Sequence, residues 1–95
     1  MTPEGRVKAD IKKWLIAQGA YFFMPVQTGY GAATLDFLVC LNGRFIGIET
    51  KRPGITRPSA RQRICMDNIE TAGGMAFCVD SLDAFRDQLY RRGLT

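Results

Sequence analysis

The chain has 95 residues, a hydrophobic fraction of 46%, a charged fraction of 23% and a formal net charge of +4. This length and composition indicate one globular domain, residues 1–95, with a single core and no room for a second module. The positive charge suits a polyanionic partner without proving one. The sequence contains no histidine, which excludes the commonest general base and zinc ligand and leaves carboxylate chemistry within easiest reach.

Composition also bears on location. No apolar run approaches the roughly 18–20 residues that cross a membrane, and the N-terminal residues are unlike a secretory signal. The three cysteines, Cys40, Cys65 and Cys78, are widely spaced in apolar segments, and we interpret them as small buried residues. We therefore expect an intracellular, cytoplasmic protein without a membrane partner.

The first predicted element is a helix. Thr2 suits the N-cap, Pro3 the first helical position, and Gly19 can end the helix. Its inward stripe contains Val7, Ile11, Trp14, Leu15 and Gln18.

Glu4 lies on the same stripe as the apolar residues of this helix. One interpretation is stabilisation of the helix dipole, worth about 0.3–1 kcal/mol. The other is a further acid that overhangs a site on the sheet. The pattern alone leaves both open.

The second element is a strand over Ala20–Val26, placed toward a sheet edge by Pro25. The glycine-rich segment that follows, residues 27–31, is most simply a connection between strands. It could also let the backbone approach a phosphate, with Gln27 or Tyr30 contacting nucleic acid.

The segment Thr34–Lys51 predicts a β-hairpin, because two apolar runs flank Asn42-Gly43, a pair that favours a type I′ turn. The register of such a turn places Asp36 opposite Glu49. The apolar run Leu35–Leu41 is typical of a central strand covered on both faces.

Side-chain alternation places Lys51 on the face of Glu49, while Thr50 points the other way. Like charges opposite each other destabilise a sheet, so neutralising Asp36 is expected to stabilise the metal-free protein. Carboxylate oxygens suit Mg²⁺ or Mn²⁺, which would turn this repulsion into a binding site. The alternative is a hairpin end whose charges are merely solvated.

Three further elements complete the chain. Residues 52–58 form a proline-rich loop, and Ser59 with Gln62 matches a capping box that opens a helix to about Ala72. A buried strand, Met75–Val79, precedes a final helix capped by Ser81. The residues expected to face inward are Cys65, Met66 and Ile69 in the first of these helices and Leu82, Phe85 and Leu89 in the second. The order αβββαβα predicts an α/β fold, a mixed sheet with helices on both faces.

The ordered motifs resemble a known family. They are Glu4 in the first helix, an aspartate after a glycine-rich segment, Ile48-Glu49-Thr50-Lys51, then Arg52-Pro53-Gly54, and Ser-x-x-Gln at a helix start. Together they resemble the PD-(D/E)XK nuclease superfamily, and more narrowly the stand-alone virus-type replication-repair nuclease (VRR-NUC) domain. One departure is Leu35, where the family usually has a proline, a difference of backbone shape rather than chemistry.

The resemblance implies a Mg²⁺- or Mn²⁺-dependent endonuclease that hydrolyses DNA, often a homodimer acting on branched DNA such as four-way (Holliday) junctions in repair or recombination. By position, Asp36 and Glu49 would bind metal with the backbone carbonyl of Thr50, and Lys51 would be the catalytic lysine. The remaining family positions are Glu4, as a direct or indirect metal ligand, and Gln62, as an auxiliary glutamine.

Basic residues near this set are expected to contact DNA phosphates, which gives affinity without sequence readout. They are Arg52, Arg57, Arg61 and Arg63, with Lys8 and Lys12 on the first helix and Lys13 beside them. Two rival hypotheses stay open: a catalytically idle DNA-binding module with the same fold, and a plain protein-interaction domain. For most of these charges, solvated surface is an equally open interpretation.

Overall fold

The computed structural model describes residues 1–26 and 34–94, so the predicted glycine-rich segment at residues 27–31 lies outside the described residues. Three helices and four strands follow the order predicted from sequence, which confirms the α/β fold class. The elements are α1 (Pro3–Ala17), β1 (Tyr21–Phe23), β2 (Phe37–Leu41), β3 (Arg44–Thr50), α2 (Ala60–Thr71), β4 (Met75–Val79) and α3 (Leu82–Arg91).

The four strands form one mixed sheet in the order β1-β2-β3-β4. The first two pairings are antiparallel, and β3 pairs with β4 in parallel through the crossover helix α2. β1 lies at the edge as predicted, but it has three residues rather than the seven of Ala20–Val26. Pro25 lacks the N–H that a longer ladder would need.

The hairpin between β2 and β3 has the predicted turn. Asn42 and Gly43 have φ angles of 52° and 77°, the left-handed values that a type I′ turn requires. The ladder runs from Leu41 opposite Arg44 to Phe37 opposite Ile48.

Helices cover both faces of the sheet, but unequally. α1 and α3 pack on the main core, while α2 packs mostly on β4 and β3. Consequently β3 is the doubly covered strand. The prediction that the run Leu35–Leu41 lies in a central strand is confirmed, because β2 pairs with both β1 and β3, but the prediction that this strand is covered on both faces was wrong. All residues from Ile46 to Thr50 are buried, whereas Cys40 in β2 is exposed because α2 does not reach it.

α2 lies very close to β3 because Gly47 has no side chain. A Cβ at this position would lie 2.7 Å from Cδ1 of Ile69 and 2.8 Å from Cδ1 of Leu35. This close packing fixes the height of α2 above the sheet, and with it the position of the polar residues in its first turn.

The helix starts agree with the sequence. The hydroxyls of Thr2 and Ser81 accept hydrogen bonds from backbone N–H groups in the first turns of α1 and α3. Ser59 and Gln62 form the predicted capping box of α2. Gln18, expected on the inward stripe, is exposed because α1 ends at Ala17.

The cysteines differ from the expectation of three buried residues. Cys40 is exposed, and Cys65 and Cys78 are half-buried. Within residues 1–26 and 34–94, no helix has the length and apolar character to cross a membrane.

Candidate active site

Polar side chains converge where β3 ends and α2 begins. Glu49 and Lys51 extend from the face that α2 covers, and Glu49 is paired with Cys78 of β4 on that face. Asp36 lies in a bend, one residue before β2. The structure therefore brings together the acid, acid and lysine that the sequence singled out.

Gln62 joins Glu49 to Lys51. Its Nε2 donates to Oε2 of Glu49 at 2.9 Å, and its Oε1 accepts from Nζ of Lys51 at 2.9 Å. Nζ of Lys51 lies 3.7 Å from the same Glu49 oxygen. The three side chains form a closed triangle of polar contacts at the sheet end.

The orientation of the Gln62 amide follows from its neighbours. The oxygen faces two donors, the ammonium of Lys51 and the backbone N–H of Ser59, the latter at 2.9 Å. A flipped amide would point its own N–H groups at both donors. The same side chain thus completes the capping box and contacts Glu49 and Lys51, so the two interpretations of Gln62 from sequence are compatible.

Asp36 is held by three donors. Its Oδ2 accepts from the backbone N–H of Thr50 at 2.9 Å and from the Thr50 hydroxyl at 2.6 Å. Its Oδ1 lies 3.4 Å from Nζ of Lys8 on α1. The β2–β3 ladder ends at Phe37 opposite Ile48, so Asp36 and Glu49 are not a ladder pair. The backbone N–H of Thr50 donates to the carboxylate of Asp36 instead of to the backbone of a longer β2.

The two carboxylates remain close. Burial raises the pKa of Glu49 from 4.5 to about 7, and the neighbouring Asp36 charge is the second cause. Lys51 and a hydrogen bond from the backbone N–H of Asp36 lower it, and Glu4 raises it slightly. Glu49 therefore changes charge near neutral pH in the metal-free protein.

Glu4 and the predicted basic residues surround this centre. Glu4 is exposed, yet its charge acts on Glu49, so it lies on the site side of α1. Lys8 contacts Asp36 rather than standing free at the surface. The other six predicted DNA-contact residues are exposed: Lys12, Lys13, Arg52, Arg57, Arg61 and Arg63.

The donor set fits a hard divalent cation. Mg²⁺ commonly takes one or two carboxylates and completes its shell with water and phosphate oxygens. Asp36 and Glu49 supply two carboxylates. Among the described residues, no group of three or more His, Cys, Asp or Glu side chains could hold an ion. The Thr50 carbonyl points to the Asp36 side, because the N–H and C=O of one strand residue face the same neighbour.

Three features were missed by sequence reasoning. The Thr50 hydroxyl contacts Asp36, although side-chain alternation directs it away from Glu49. Lys8 pairs with Asp36 across two elements that lie far apart in the chain. Cys78 lies beside the site, where burial raises the pKa of its thiol, Lys51 lowers it and Glu49 raises it. To find Cys78 from the sequence, one would have needed the parallel register of β4, and no local pattern encodes that register.

Comparison with known proteins supports the family resemblance. A solved structure described as a VRR_NUC domain is similar to this chain with a TM-score of 0.77 and 28% sequence identity. The similarity covers 96% of this chain and 97% of that one. No family model matches the sequence, and no curated protein matches it.

The fold therefore defines an α/β domain of the PD-(D/E)XK type. Within that type the chain has the fold of a VRR-NUC domain, which confirms the resemblance carried by its motifs. This similarity indicates a nuclease-type domain.

Proposed function

We propose that this chain is a Mg²⁺- or Mn²⁺-dependent endonuclease that hydrolyses phosphodiester bonds in DNA, with branched DNA such as four-way junctions as its preferred substrate. The observation that carries the proposal is the convergence of Asp36, Glu49, Lys51 and Gln62 at one sheet end of a VRR-NUC fold. The preference for branched DNA follows from the family resemblance.

Each side chain has a defined task in this proposal. Asp36 and Glu49 would hold the cation with the Thr50 carbonyl, and Glu4 would assist through its charge or an intervening water. When bound, the cation supplies Lewis-acid activation of the phosphodiester and an acidified water. Lys51, oriented by Gln62, would place its ammonium at the phosphate and neutralise developing charge.

DNA binding would use the exposed cations around the site. Arg61 and Arg63 flank Gln62 in the first turn of α2, whose N-terminus favours phosphate. Arg52 and Arg57 lie in the loop after Lys51, which is tied to the end of β4 by a 2.9 Å hydrogen bond from the Gly54 N–H to Asp80. Such contacts predict strongly salt-dependent binding without sequence preference.

The homodimer implied by the family has a candidate surface. Tyr21, Cys40 and Phe45 form one cross-strand row on the part of the sheet that α2 leaves uncovered. Tyr21 and Phe45 are 81% and 49% exposed, and Phe23 beside them is 61% exposed. Sedimentation of Tyr21→Ser and Phe45→Ser, with the exposed Tyr90→Ser on α3 as control, tests whether this row joins two copies.

The decisive experiment for the function compares cleavage and binding. Duplex, flap and four-way junction DNA are incubated with the protein and Mg²⁺ or Mn²⁺, beside Asp36→Ala and Lys51→Ala. Metal-dependent cutting by the wild type alone supports the proposal. Salt-sensitive binding without cutting by any protein would instead identify the idle DNA-binding module, and no DNA binding would favour a protein-interaction domain.

A further inference from the structure

The two oxygens of the Asp36 carboxylate are used differently. Oδ2 accepts two hydrogen bonds from Thr50, whose side chain is fully buried. Oδ1 faces the Lys8 ammonium at 3.4 Å. Oδ1 is consequently the oxygen left for a cation, and a side-chain cation already stands beside it.

Lys8 is far less fixed than Thr50. Its side chain is 37% exposed and belongs to the second turn of α1, whereas the Asp36 side chain is 14% exposed. A partly exposed ion pair of this kind is weak, typically about 0–1 kcal/mol, and a four-carbon side chain can rotate into solvent. The Lys8 contact can therefore be broken without disturbing the Thr50 hydrogen bonds.

A divalent ion at Oδ1 conflicts with the ammonium. Even in a water-like dielectric, an ammonium and a doubly charged ion about 5 Å apart repel enough to weaken binding roughly tenfold. Either the divalent ion binds weakly beside the Lys8 ammonium, or the Lys8 side chain moves away from Asp36 Oδ1.

We propose that Lys8 is a displaceable stand-in for the metal, which neutralises Asp36 in the metal-free protein and leaves Oδ1 when a divalent cation binds. This inference rests on the proposed function, since it concerns the same metal site. Its consequence is that Lys8 sets the metal concentration at which the site fills, because every binding event must break the Lys8–Asp36 pair.

The first test measures metal affinity directly. Mn²⁺ is titrated calorimetrically into the wild type, Lys8→Met and Lys12→Met at about pH 8, where Glu49 is mostly ionised. Lys12 lies one helical turn further along α1 and is exposed. Lys12→Met therefore serves as the control, because it changes the net charge by the same amount as Lys8→Met. We expect Lys8→Met to bind Mn²⁺ up to about fivefold more tightly, because no Lys8–Asp36 pair then has to be broken, and Lys12→Met to match the wild type.

A second test uses only the wild-type protein, so it does not depend on the folding of a variant. Lysines are labelled with an amine-reactive reagent with and without Mn²⁺, and the modification of Lys8 and Lys12 is quantified by mass spectrometry. Displacement predicts that Mn²⁺ increases the labelling of Lys8 several-fold relative to that of Lys12.

The outcomes separate this inference from the proposed function. The inference is overturned if Lys8→Met and Lys12→Met bind Mn²⁺ equally tightly, or if Mn²⁺ does not change the labelling of Lys8. Neither result contradicts metal-dependent cleavage. Failure of the wild type to bind Mn²⁺ or Mg²⁺ at all overturns both.

Discussion

The side-chain amide of Gln62 donates a 2.9 Å hydrogen bond to the Glu49 carboxylate while the same side chain completes the N-cap of α2. A helix start and a candidate catalytic carboxylate are therefore joined through one residue. Any change at Gln62 should affect stability and activity together, and a suitable control can separate the two.

Gln62→Ala should lower the cleavage rate by about tenfold to a hundredfold, because Lys51 and Glu49 lose the side chain that orients them. It should also cost about 0.5–2 kcal/mol of stability through the lost cap. Ser59→Ala removes the other half of the capping box and keeps both site contacts. We expect that control to show a similar loss of stability in thermal unfolding with little loss of cleavage rate; equal losses of activity would contradict the orienting role.

Thr50→Val removes the hydroxyl that donates to Asp36 while keeping a side chain of similar shape. Hydrogen bonds to charged groups contribute about 1.5–3 kcal/mol, so we expect a stability loss of about that size. Metal affinity should also fall, because Asp36 is less firmly placed. Chemical unfolding and Mn²⁺ titration measure the two effects, with the exposed Thr56→Val as control. A fully stable Thr50→Val protein would show that this hydrogen bond contributes nothing.

The raised pKa of Glu49 predicts a pH dependence of stability in the metal-free protein. Since folding raises the pKa from 4.5 to about 7, the folded state binds the proton more tightly than the unfolded state does. The stabilisation is complete below 4.5 and is lost as the pH rises through about 7. Metal affinity should rise over the same window, because the ionised form binds the cation.

Glu49→Gln tests this assignment, because it keeps an oxygen that can accept from Gln62 and removes the titrating group. The variant should lose this part of the pH dependence and gain about 1 kcal/mol in metal-free stability near pH 8. An unchanged profile in thermal unfolding between pH 4.5 and about 8 would contradict the assignment.

Gly47→Ala should destabilise the fold by about 1–3 kcal/mol, because the added methyl group would overlap side chains of Ile69 and Leu35. Adding Ile69→Val removes the Cδ1 atom that lies 2.7 Å from the new methyl and should restore part of the stability. The comparison is made by denaturant unfolding. A double variant less stable than the sum of the two single changes would argue against this overlap as the cause.

Local chemistry made much of this arrangement predictable. Asn42-Gly43 specified the turn and the ladder up to Phe37, and Ser59 with Gln62 specified the start of α2. The motif order identified the residues that meet at the end of β3. These features depend on neighbours along the chain, where turn and capping rules operate.

The rest depends on long-range packing. Helix α2 covers β3 and β4 rather than β2, which made Cys40 exposed and β3 the buried strand. The sequence predicted that neutralising Asp36 would stabilise the metal-free protein. The pairing of Asp36 with Lys8 argues against this prediction. Asp36→Asn would weaken its pairing with Lys8, so relief of repulsion is better tested at Glu49.

The most direct test of the central claim is the rate of DNA cleavage by the wild type and by Lys51→Met, each with Mg²⁺ or Mn²⁺ and with a chelator, on four-way junction and duplex substrates. We predict cutting by the wild type only with metal, and a rate lower by at least about a hundredfold for folded Lys51→Met. Cleavage that persists in chelator, or equal rates for the two proteins, would contradict a metal-dependent centre built on Asp36, Glu49 and Lys51.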